Sequence, residues 1–317
     1  MERLIFSIRV QKMKFLFLLF SCAFTLVFNQ SLAQQFNPEI IRIKNNESPL
    51  RPYQFFDFDG DGDFDIYYYY NNDNLYLIEN IGDSICPIFN WAKKRENPLK
   101  TIKVFNSSIV DIDSDGDYDI IGNKNGKIVW CENIGTKTNP VFNEMVELNV
   151  GLSVSIQNKR FVDIDGDGDF DVFGVRRKDG VGIKDRYIVF QENIGTSSVP
   201  AFSDIKFSPF NLPESLSAAS LSIEFIDIDN DGDLDAYFTE TYNQKGKCYI
   251  LENVGNSFEP QFAKPKTDFP GLTNPFYIMT FADIDSDGQV EFVGSVINFM
   301  PNGLVLYYQE MITGEEE

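Results

Sequence analysis

Hydrophobic residues in this chain are grouped in short alternating runs. Apolar pairs such as Phe161-Val162 and Phe225-Ile226 lead into acidic stretches, in which isoleucine continues the alternation between aspartates. A period of two is typical of β-strands. No stretch after residue 33 keeps a helical period over three turns. The pattern therefore predicts an all-β fold in which strands lead into acidic loops.

Each acidic stretch is a nine-residue motif, and the motif occurs five times. Its copies begin at Asp57, Asp111, Asp163, Asp227 and Asp283, so they lie 52 to 64 residues apart. Carboxylates stand at positions 1, 3, 5 and 9, and a glycine stands at position 6. Alternate carboxylates around a sharp glycine turn form a ring of oxygens that suits a hard cation such as Ca²⁺. Five solvated acidic turns without metal are the alternative, but repulsion between the packed carboxylates disfavours it.

A second signature recurs some way after each of the first four motifs. It reads Glu79-Asn80-Ile81-Gly82, Glu132-Asn133-Ile134-Gly135, Glu192-Asn193-Ile194-Gly195 and Glu252-Asn253-Val254-Gly255. A proline follows five residues after each glycine, and a phenylalanine two residues later. The pattern predicts a second strand such as 118–122, a turn such as 123–126, a third strand ending in this signature, and a fourth strand such as 140–148.

Four strands per repeat are the anatomy of a β-propeller blade. After the fifth motif, residues 304–310 supply a third strand, and no proline-phenylalanine segment follows. Residues 36–43 have that missing pattern. We therefore expect a five-bladed β-propeller with four-stranded blades, closed by the N-terminal strand completing the last blade. An open or larger array is the alternative.

Over residues 36–310 the chain resembles the FG-GAP and VCBS repeat families, which include the propeller of integrin α subunits. The resemblance rests on the five acidic motifs and implies one Ca²⁺ per blade, about five in all. The ligands it implies from positions 1, 3, 5 and 9 are Asp57, Asp59, Asp61, Asp65, Asp111, Asp113, Asp115, Asp119, Asp163, Asp165, Asp167, Asp171, Asp227, Asp229, Asp231, Asp235, Asp283, Asp285, Asp287 and Glu291. The backbone carbonyls at position 7 belong to Asp63, Asp117, Asp169, Asp233 and Gln289. Because Glu291 replaces aspartate, we expect the fifth site to be the weakest.

The first 33 residues have the pattern of a signal peptide. Lys12 and Lys14 precede an apolar run over 15–28, and Ser31-Leu32-Ala33 ends in small residues. The run is shorter than the roughly 20 residues that span a membrane. We therefore expect a secreted or cell-surface protein with a single propeller domain over 34–317. A lipoprotein anchored through Cys22 is the alternative.

Charge and composition exclude several classes of function. The net charge of −21 disfavours nucleic acid and anionic membranes as partners. The chain has no histidine, which excludes histidine-based triads and the usual zinc ligand sets. Most suggestive aspartates belong to the acidic motifs, and the recurring glutamates of the second signature indicate a structural role. We therefore expect a non-enzymatic binding or adhesion module with structural calcium. The alternative is a carbohydrate-active enzyme, a polysaccharide lyase or glycosidase, on a calcium-stabilised propeller.

Irregular features mark a possible ligand face opposite the acidic loops, for a protein or glycan partner. Arg176, Arg177 and Lys178 form a basic insertion in an acidic chain, and Tyr68 and Tyr70 lie in an aromatic run. Guanidinium groups suit carboxylate or sulfate, and aromatic rings stack on sugars. The simpler interpretation, which the sequence favours, is that the tyrosines alternate into a strand core and that the charged loop is solvated.

Overall fold

The computed structural model describes residues 35–37, 54–70, 74–82, 98–177, 185–213, 216–217, 220–229, 231–242, 245–266, 278–282, 291–296 and 305–312. Regular structure in these ranges is β-strand apart from two short 3-10 helices, Pro98–Thr101 and Pro209–Asn211. The predicted all-β fold is confirmed. The predicted signal segment 1–33, Lys178, and residues 283–290 of the fifth motif lie outside the described ranges.

The described strands form five antiparallel sheets. β1 (Gln35–Asn37) belongs to the last of them. The first sheet contains β2 (Gln54–Phe56), β3 (Asp65–Tyr70) and β4 (Asn74–Ile78). The second contains β5 (Phe105–Val110), β6 (Asp119–Lys124), β7 (Lys127–Cys131) and β8 (Val146–Glu147). The third contains β9 (Gln157–Val162), β10 (Asp171–Arg177), β11 (Asp185–Gln191), β12 (Lys206–Phe207) and β13 (Leu216–Ser217). The fourth contains β14 (Ser220–Ile226), β15 (Asp235–Tyr242) and β16 (Lys245–Leu251), and the fifth contains β17 (Ile278–Ala282), β18 (Glu291–Val296) and β19 (Val305–Ile312).

Each sheet starts with the same hairpin. Its first strand runs into an acidic loop, and its second strand begins at position 9 of the motif, as at Asp119 and Asp171. The second and third strands are then joined at the opposite end of the sheet. In the second sheet this turn is Asn125-Gly126, with φ of 50° and 76°. Positive φ at both residues is typical of the tight hairpin turn that matches strand twist.

In the second, third and fourth repeats the fourth strand is shorter than the sequence predicts. Instead of 140–148, β8 covers only Val146–Glu147, and Phe142 makes a single bridge to Asn133. The fourth sheet has only a bridge between Ile250 and Lys266 at this place. Pro140 has no backbone N–H, and the N–H of Val141 donates to the side chain of Asn133 and not to a backbone carbonyl of the neighbouring strand. Within the described ranges the second and fifth sheets have the four strands expected of a blade, and the third sheet has a fifth short strand, β13.

The N-terminal strand joins the last sheet. β1 pairs antiparallel with β19, with Phe36 opposite Met311, and the sheet order is β1-β19-β18-β17. The two ends of the described chain are thus joined by backbone hydrogen bonds.

The hydrophobic core lies between successive sheets. Tyr67 and Leu77 of the first sheet share a buried cluster with Ile120 and Cys131 of the second. Ile121 of the second sheet packs with Val172 and Val189 of the third. Adjacent residues of one strand therefore point into different interfaces, as the alternation of a strand dictates.

The third and fourth sheets share the most aromatic interface among the described residues. Phe173 and Phe190 of the third sheet pack with Phe238 of the fourth, and Phe225 lies 4.4 Å from Phe173 between ring centroids. Burial of apolar area of this kind contributes about 25 cal/mol per Å².

The first strands of neighbouring sheets lie side by side. β5 contacts β9, β9 contacts β14, β14 contacts β17, and β17 contacts β2. We call these five the inner strands. The acidic loops leave the inner strands at one end, and the second-to-third strand turns lie at the other.

Candidate functional site

The acidic loops bring carboxylate oxygens together in each of the four described copies. Ligand atoms of positions 1, 3 and 5 lie within 4.8 Å of one another in every case. The groups are Asp57, Asp59 and Asp61; Asp111, Asp113 and Asp115; Asp163, Asp165 and Asp167; Asp227, Asp229 and Asp231. The glycine at position 6 has φ between 91° and 99° in all four loops, a conformation that residues with a Cβ rarely adopt.

The aspartate at position 9 is buried beneath each described loop. Burial, with a smaller contribution from nearby carboxylates, raises the pKa of Asp65, Asp119 and Asp235 to about 7 and that of Asp171 to about 8. In each case a hydrogen bond from a backbone N–H to the carboxylate partly opposes this increase in pKa. Burial and the neighbouring carboxylates disfavour the ionised form of these groups, and a bound cation would stabilise it. This is the electrostatic environment expected of metal ligands.

Several carboxylate oxygens in the loops are buried without a hydrogen-bond partner. They include Oδ1 of Asp113 and Asp165 at position 3, and Oδ2 of Asp119 and Asp171 at position 9. The Oδ1 atoms of Asp63, Asp117, Asp169 and Asp233 at position 7 are unpartnered as well. Buried polar atoms normally have partners. The donor set therefore fits a hard divalent cation, and position 7 offers a carboxylate in addition to its carbonyl.

The asparagine of the second signature anchors each loop to the sheet. Its backbone N–H donates to Oδ1 of the position 9 aspartate, at 2.7 Å for Asn193 to Asp171. Its own Oδ1 accepts the backbone N–H groups of Gly195, at 3.0 Å, and Ala201, at 2.9 Å. The same hydrogen bonds occur at Asn133 and Asn253. The sequence reveals these asparagines by recurrence, yet their role was not predicted.

Three of the four described loops also touch the next sheet. Lys137 Nζ lies 3.0 Å from Asp57 Oδ2 of the first loop. Ser114 Oγ of the second loop donates to Ser197 O at 3.1 Å. A Cβ on Gly166 of the third loop would lie 3.1 Å from Ser257 O. Lys137, Ser197 and Ser257 occupy equivalent places after the second signature, so one turn of each sheet supports the acidic loop of the preceding sheet.

A group of buried charges lies on the inner strands, away from the acidic loops. Arg160 of β9 forms an ion pair with Glu224 of β14, and Arg160 Nε lies 2.7 Å from Glu224 Oε1. Their side chains are only 10% and 16% exposed. Lys159 is fully buried, and its Nζ donates to Asn123 Oδ1 at 2.9 Å. Burial lowers the pKa of Lys159 to about 7 and raises that of Glu224 against the opposing effect of Arg160.

These charges do not follow the repeat. Arg160 and Glu224 each lie three residues before their acidic motif, where the second repeat has Ser108 and the first has Gln54. Lys159 corresponds to Ser107 and Ile223. Singular charged groups with shifted pKa values in an otherwise repeated framework are candidates for function. The sequence does not single them out, because each occurs at one position and has no recurring pattern.

The predicted ligand-face residues lie at the end of the sheets opposite the acidic loops. Arg176 and Arg177 end β10, and Tyr68 and Tyr70 lie on β3, opposite Tyr76 and Asn74. The guanidinium of Arg176 lies 5.7 Å from the centroid of the Phe207 ring. The structure therefore separates these two groups, since β3 and β10 belong to the first and third sheets.

Comparison with known proteins agrees with the resemblance seen in the motifs. Residues 227–294 match the model of the FG-GAP-like repeat. This segment is an FG-GAP-like repeat. It contains the fourth acidic motif, the fourth signature and the whole of the fifth acidic motif. No curated protein sequence matches the chain.

Three solved structures share the fold. An endo-arabinase from Bacteroides thetaiotaomicron is 11% identical, with a TM-score of 0.53 over 90% of this chain and 99% of the other. A thermostable family-43 glycoside hydrolase is 11% identical, with a TM-score of 0.54 over 89% and 94%. A fructofuranosidase from Schwanniomyces occidentalis is 11% identical, with a TM-score of 0.50 over 90% of this chain and 60% of that longer one. At this identity the likeness concerns the fold.

These comparisons correct the expected function. The prediction of a non-enzymatic binding or adhesion module, and with it the prediction that the chain is not an enzyme, is contradicted. Two of the structures that match nearly from end to end are an endo-arabinase and a glycoside hydrolase. That prediction considered only the recurring acidic residues as possible catalytic groups. Lys159, Arg160 and Glu224 on the inner strands do not recur, so it did not include them. No helix among the described residues is long and apolar enough to cross a membrane.

Proposed function

We propose that this chain is a secreted carbohydrate-active enzyme on a calcium-stabilised propeller, cleaving a polysaccharide as a glycosidase or a lyase. The propeller is taken to have five blades closed through β1. The observation that carries the proposal is the buried charge group of the inner strands, formed by Lys159, Arg160 and Glu224, within a scaffold that an endo-arabinase and a family-43 glycoside hydrolase share over nearly their full lengths.

Calcium has a structural role in this proposal. The acidic loops would hold one ion each through positions 1, 3, 5 and 9, and unpartnered carboxylate oxygens support that assignment. When bound, the ion neutralises the aspartates and fixes each loop against the next sheet. The loops lie at one end of the sheets, so substrate is assigned to the opposite end and to the inner strands.

We assign the cleavage reaction to the group formed by Lys159, Arg160 and Glu224, because a contribution to stability alone does not explain why these charges are buried. A buried ion pair is often no more stabilising than apolar residues of similar volume. A glycosidase uses two carboxyl groups that flank the scissile bond, and Glu224 would supply one of them. In a lyase, Arg160 would neutralise a substrate carboxylate while a base removes the adjacent proton. Lys159, which is fully buried, serves as a positioning residue through Asn123.

A polysaccharide panel tests the proposed function. Purified protein in calcium buffer is incubated with arabinan, galactan, xylan, fructan and polygalacturonate. Reducing ends and unsaturated uronate products are then measured. Reducing ends without unsaturation indicate a glycosidase, and both together indicate a lyase. Folded, calcium-loaded protein that releases neither product from any of these polysaccharides would overturn the proposal.

A further inference from the structure

Two side-chain oxygen atoms on one face of β14 have no hydrogen-bond partner among the described residues. Ser222 is 6% exposed, and its Oγ is buried without a partner. Glu224 uses only Oε1 to bind Arg160, which leaves its Oε2 without a partner. Ile223 and Phe225 pack into the cluster between the third and fourth sheets, so the residues that alternate with them lie on the other face of the strand. Buried hydroxyl groups are normally hydrogen-bonded, and this face is therefore suited to a ligand that supplies hydroxyl groups.

The charged groups of the inner strands are already engaged within the protein. Arg160 Nε donates to Glu224 Oε1 at 2.7 Å, and Nη2 pairs with the same oxygen. Arg160 Nη1 donates to Lys159 O at 3.3 Å. Lys159 is fully buried, and its Nζ donates to Asn123. Within their described ranges the five inner strands contain no other charged residue, so they offer no unpaired cation to a substrate carboxylate.

The equivalent residues of the other inner strands are uncharged and polar. At the position three residues before the acidic motif, the first, second and fifth repeats have Gln54, Ser108 and Thr280. Gln54 Oε1 is also buried without a hydrogen-bond partner. The chain as a whole has a net charge of −21, and five bound Ca²⁺ ions would leave it negative. A polyanion is therefore repelled, whereas the hydroxyl groups of an uncharged sugar match the amide and hydroxyl groups of these strands.

We propose that Ser222 Oγ hydrogen-bonds to a hydroxyl group of an uncharged polysaccharide whose glycosidic bond lies at Glu224 Oε2. The proposal rests on the proposed function and names its substrate class, a polymer without uronic acid or sulfate. Residues two apart in a strand are separated by about 6.6 Å, so one sugar unit can reach both oxygen atoms.

An uncharged substrate also decides between the two cleavage reactions. Elimination by a lyase requires a carboxylate beside the carbon that loses its proton, and a neutral sugar has none. Hydrolysis remains. In it the glycosidic C–O bond breaks, and a water molecule supplies a hydroxyl group to one product and a proton to the other.

Binding measured apart from turnover tests this inference. Calorimetry in calcium buffer compares neutral arabino-, xylo-, galacto- and fructo-oligosaccharides with oligogalacturonates of equal length. The preference of the wild-type protein tests the substrate class without any variant. Ser222→Ala then removes one hydroxyl group that has no partner within the protein, so its melting temperature should not fall. Ser198→Ala, at an exposed site in the turn after the third signature, is the matched control.

Wild type is expected to bind at least one neutral oligosaccharide more tightly than oligogalacturonate. That affinity should fall about 2- to 12-fold in Ser222→Ala, the effect of one hydrogen bond, and stay at the wild-type value in Ser198→Ala. Preference for oligogalacturonate, binding of none of these oligosaccharides, or equal affinity in Ser222→Ala and wild type would overturn the inference, and cleavage of a polysaccharide alongside any of these results leaves the proposed function standing. Neutral-oligosaccharide binding that depends on Ser222, without cleavage of any polysaccharide, contradicts the proposed function alone.

Discussion

Asp171 and Asn193 are joined by a 2.7 Å hydrogen bond from the asparagine backbone N–H to the carboxylate, which links an acidic loop to the next signature of the same sheet. The second carboxylate oxygen of Asp171 is buried without a partner. One oxygen thus belongs to the sheet, and the other is left for a cation. Asp119 and Asn133 show the same division in the second sheet.

Loss of the Asn193 side chain should destabilise the protein. In Asn193→Ala the backbone N–H groups of Gly195 and Ala201 lose their acceptor. An unsatisfied buried donor costs about 1–3 kcal/mol, so we expect the melting temperature to fall by several degrees in differential scanning calorimetry. Asn149→Ala, at an exposed site, is the control and should melt as wild type. Equal melting of the two variants would contradict the anchoring role.

Removal of calcium should destabilise the protein more than any single substitution in a loop. With about millimolar calcium and a Kd on the order of 0.1 mM, each site adds roughly 1.4 kcal/mol to the free energy of unfolding. The four described loops would together add roughly 6 kcal/mol, comparable with a typical total of 5–15 kcal/mol. Melting curves with excess chelator should therefore shift sharply downward, and magnesium should restore less than calcium. An unchanged curve would refute structural calcium.

Lys137 should weaken the first calcium site. Its Nζ lies 3.0 Å from Asp57 Oδ2, and it competes with a cation for that carboxylate. Lys137→Ser introduces the residue found at the equivalent positions 197 and 257. Because a partly exposed ion pair contributes about 0.2–1 kcal/mol, calcium affinity should rise about 1.4- to fivefold for one site in calorimetric titration. Lys127→Ser removes an exposed charge that pairs with Glu147 and should leave every site unchanged.

The structural features that can be predicted from this sequence are those whose sequence patterns are repeated along the chain. Strand alternation, the acidic loops and the all-β class are readable because each pattern occurs several times. The length of the fourth strand was overestimated, since apolar spacing does not reveal that pairing after Pro140 is limited to a bridge at Phe142 and the short strand Val146–Glu147. The Arg160–Glu224 pair was missed because the partners are 64 residues apart and meet only when β9 lies beside β14.

The buried Lys159 should give stability an identifiable pH dependence. Burial lowers its pKa in the folded state to about 7, whereas in the unfolded chain it is near 10.5. Between these values the unfolded state binds more protons, so this residue makes stability rise with pH, by up to about 1.4 kcal/mol per pH unit. Lys159→Met removes the titrating group and keeps a long side chain. Urea unfolding from pH 6.5 to 9.5, in calcium, should show this rise as a difference between wild type and variant; parallel curves would exclude a neutral Lys159.

The role of the inner-strand charges is tested most directly by replacing the Arg160–Glu224 pair as a unit. R160L/E224L leaves no unpaired buried charge, and such replacements are often neutral or stabilising for the fold. K127L/E147L removes an exposed pair and is the matched control. The measurement is product release from the polysaccharide that wild type cleaves, at a temperature where both variants are folded. The account predicts near-wild-type melting with activity lost in R160L/E224L and retained in the control. A folded R160L/E224L variant with wild-type product release would contradict it.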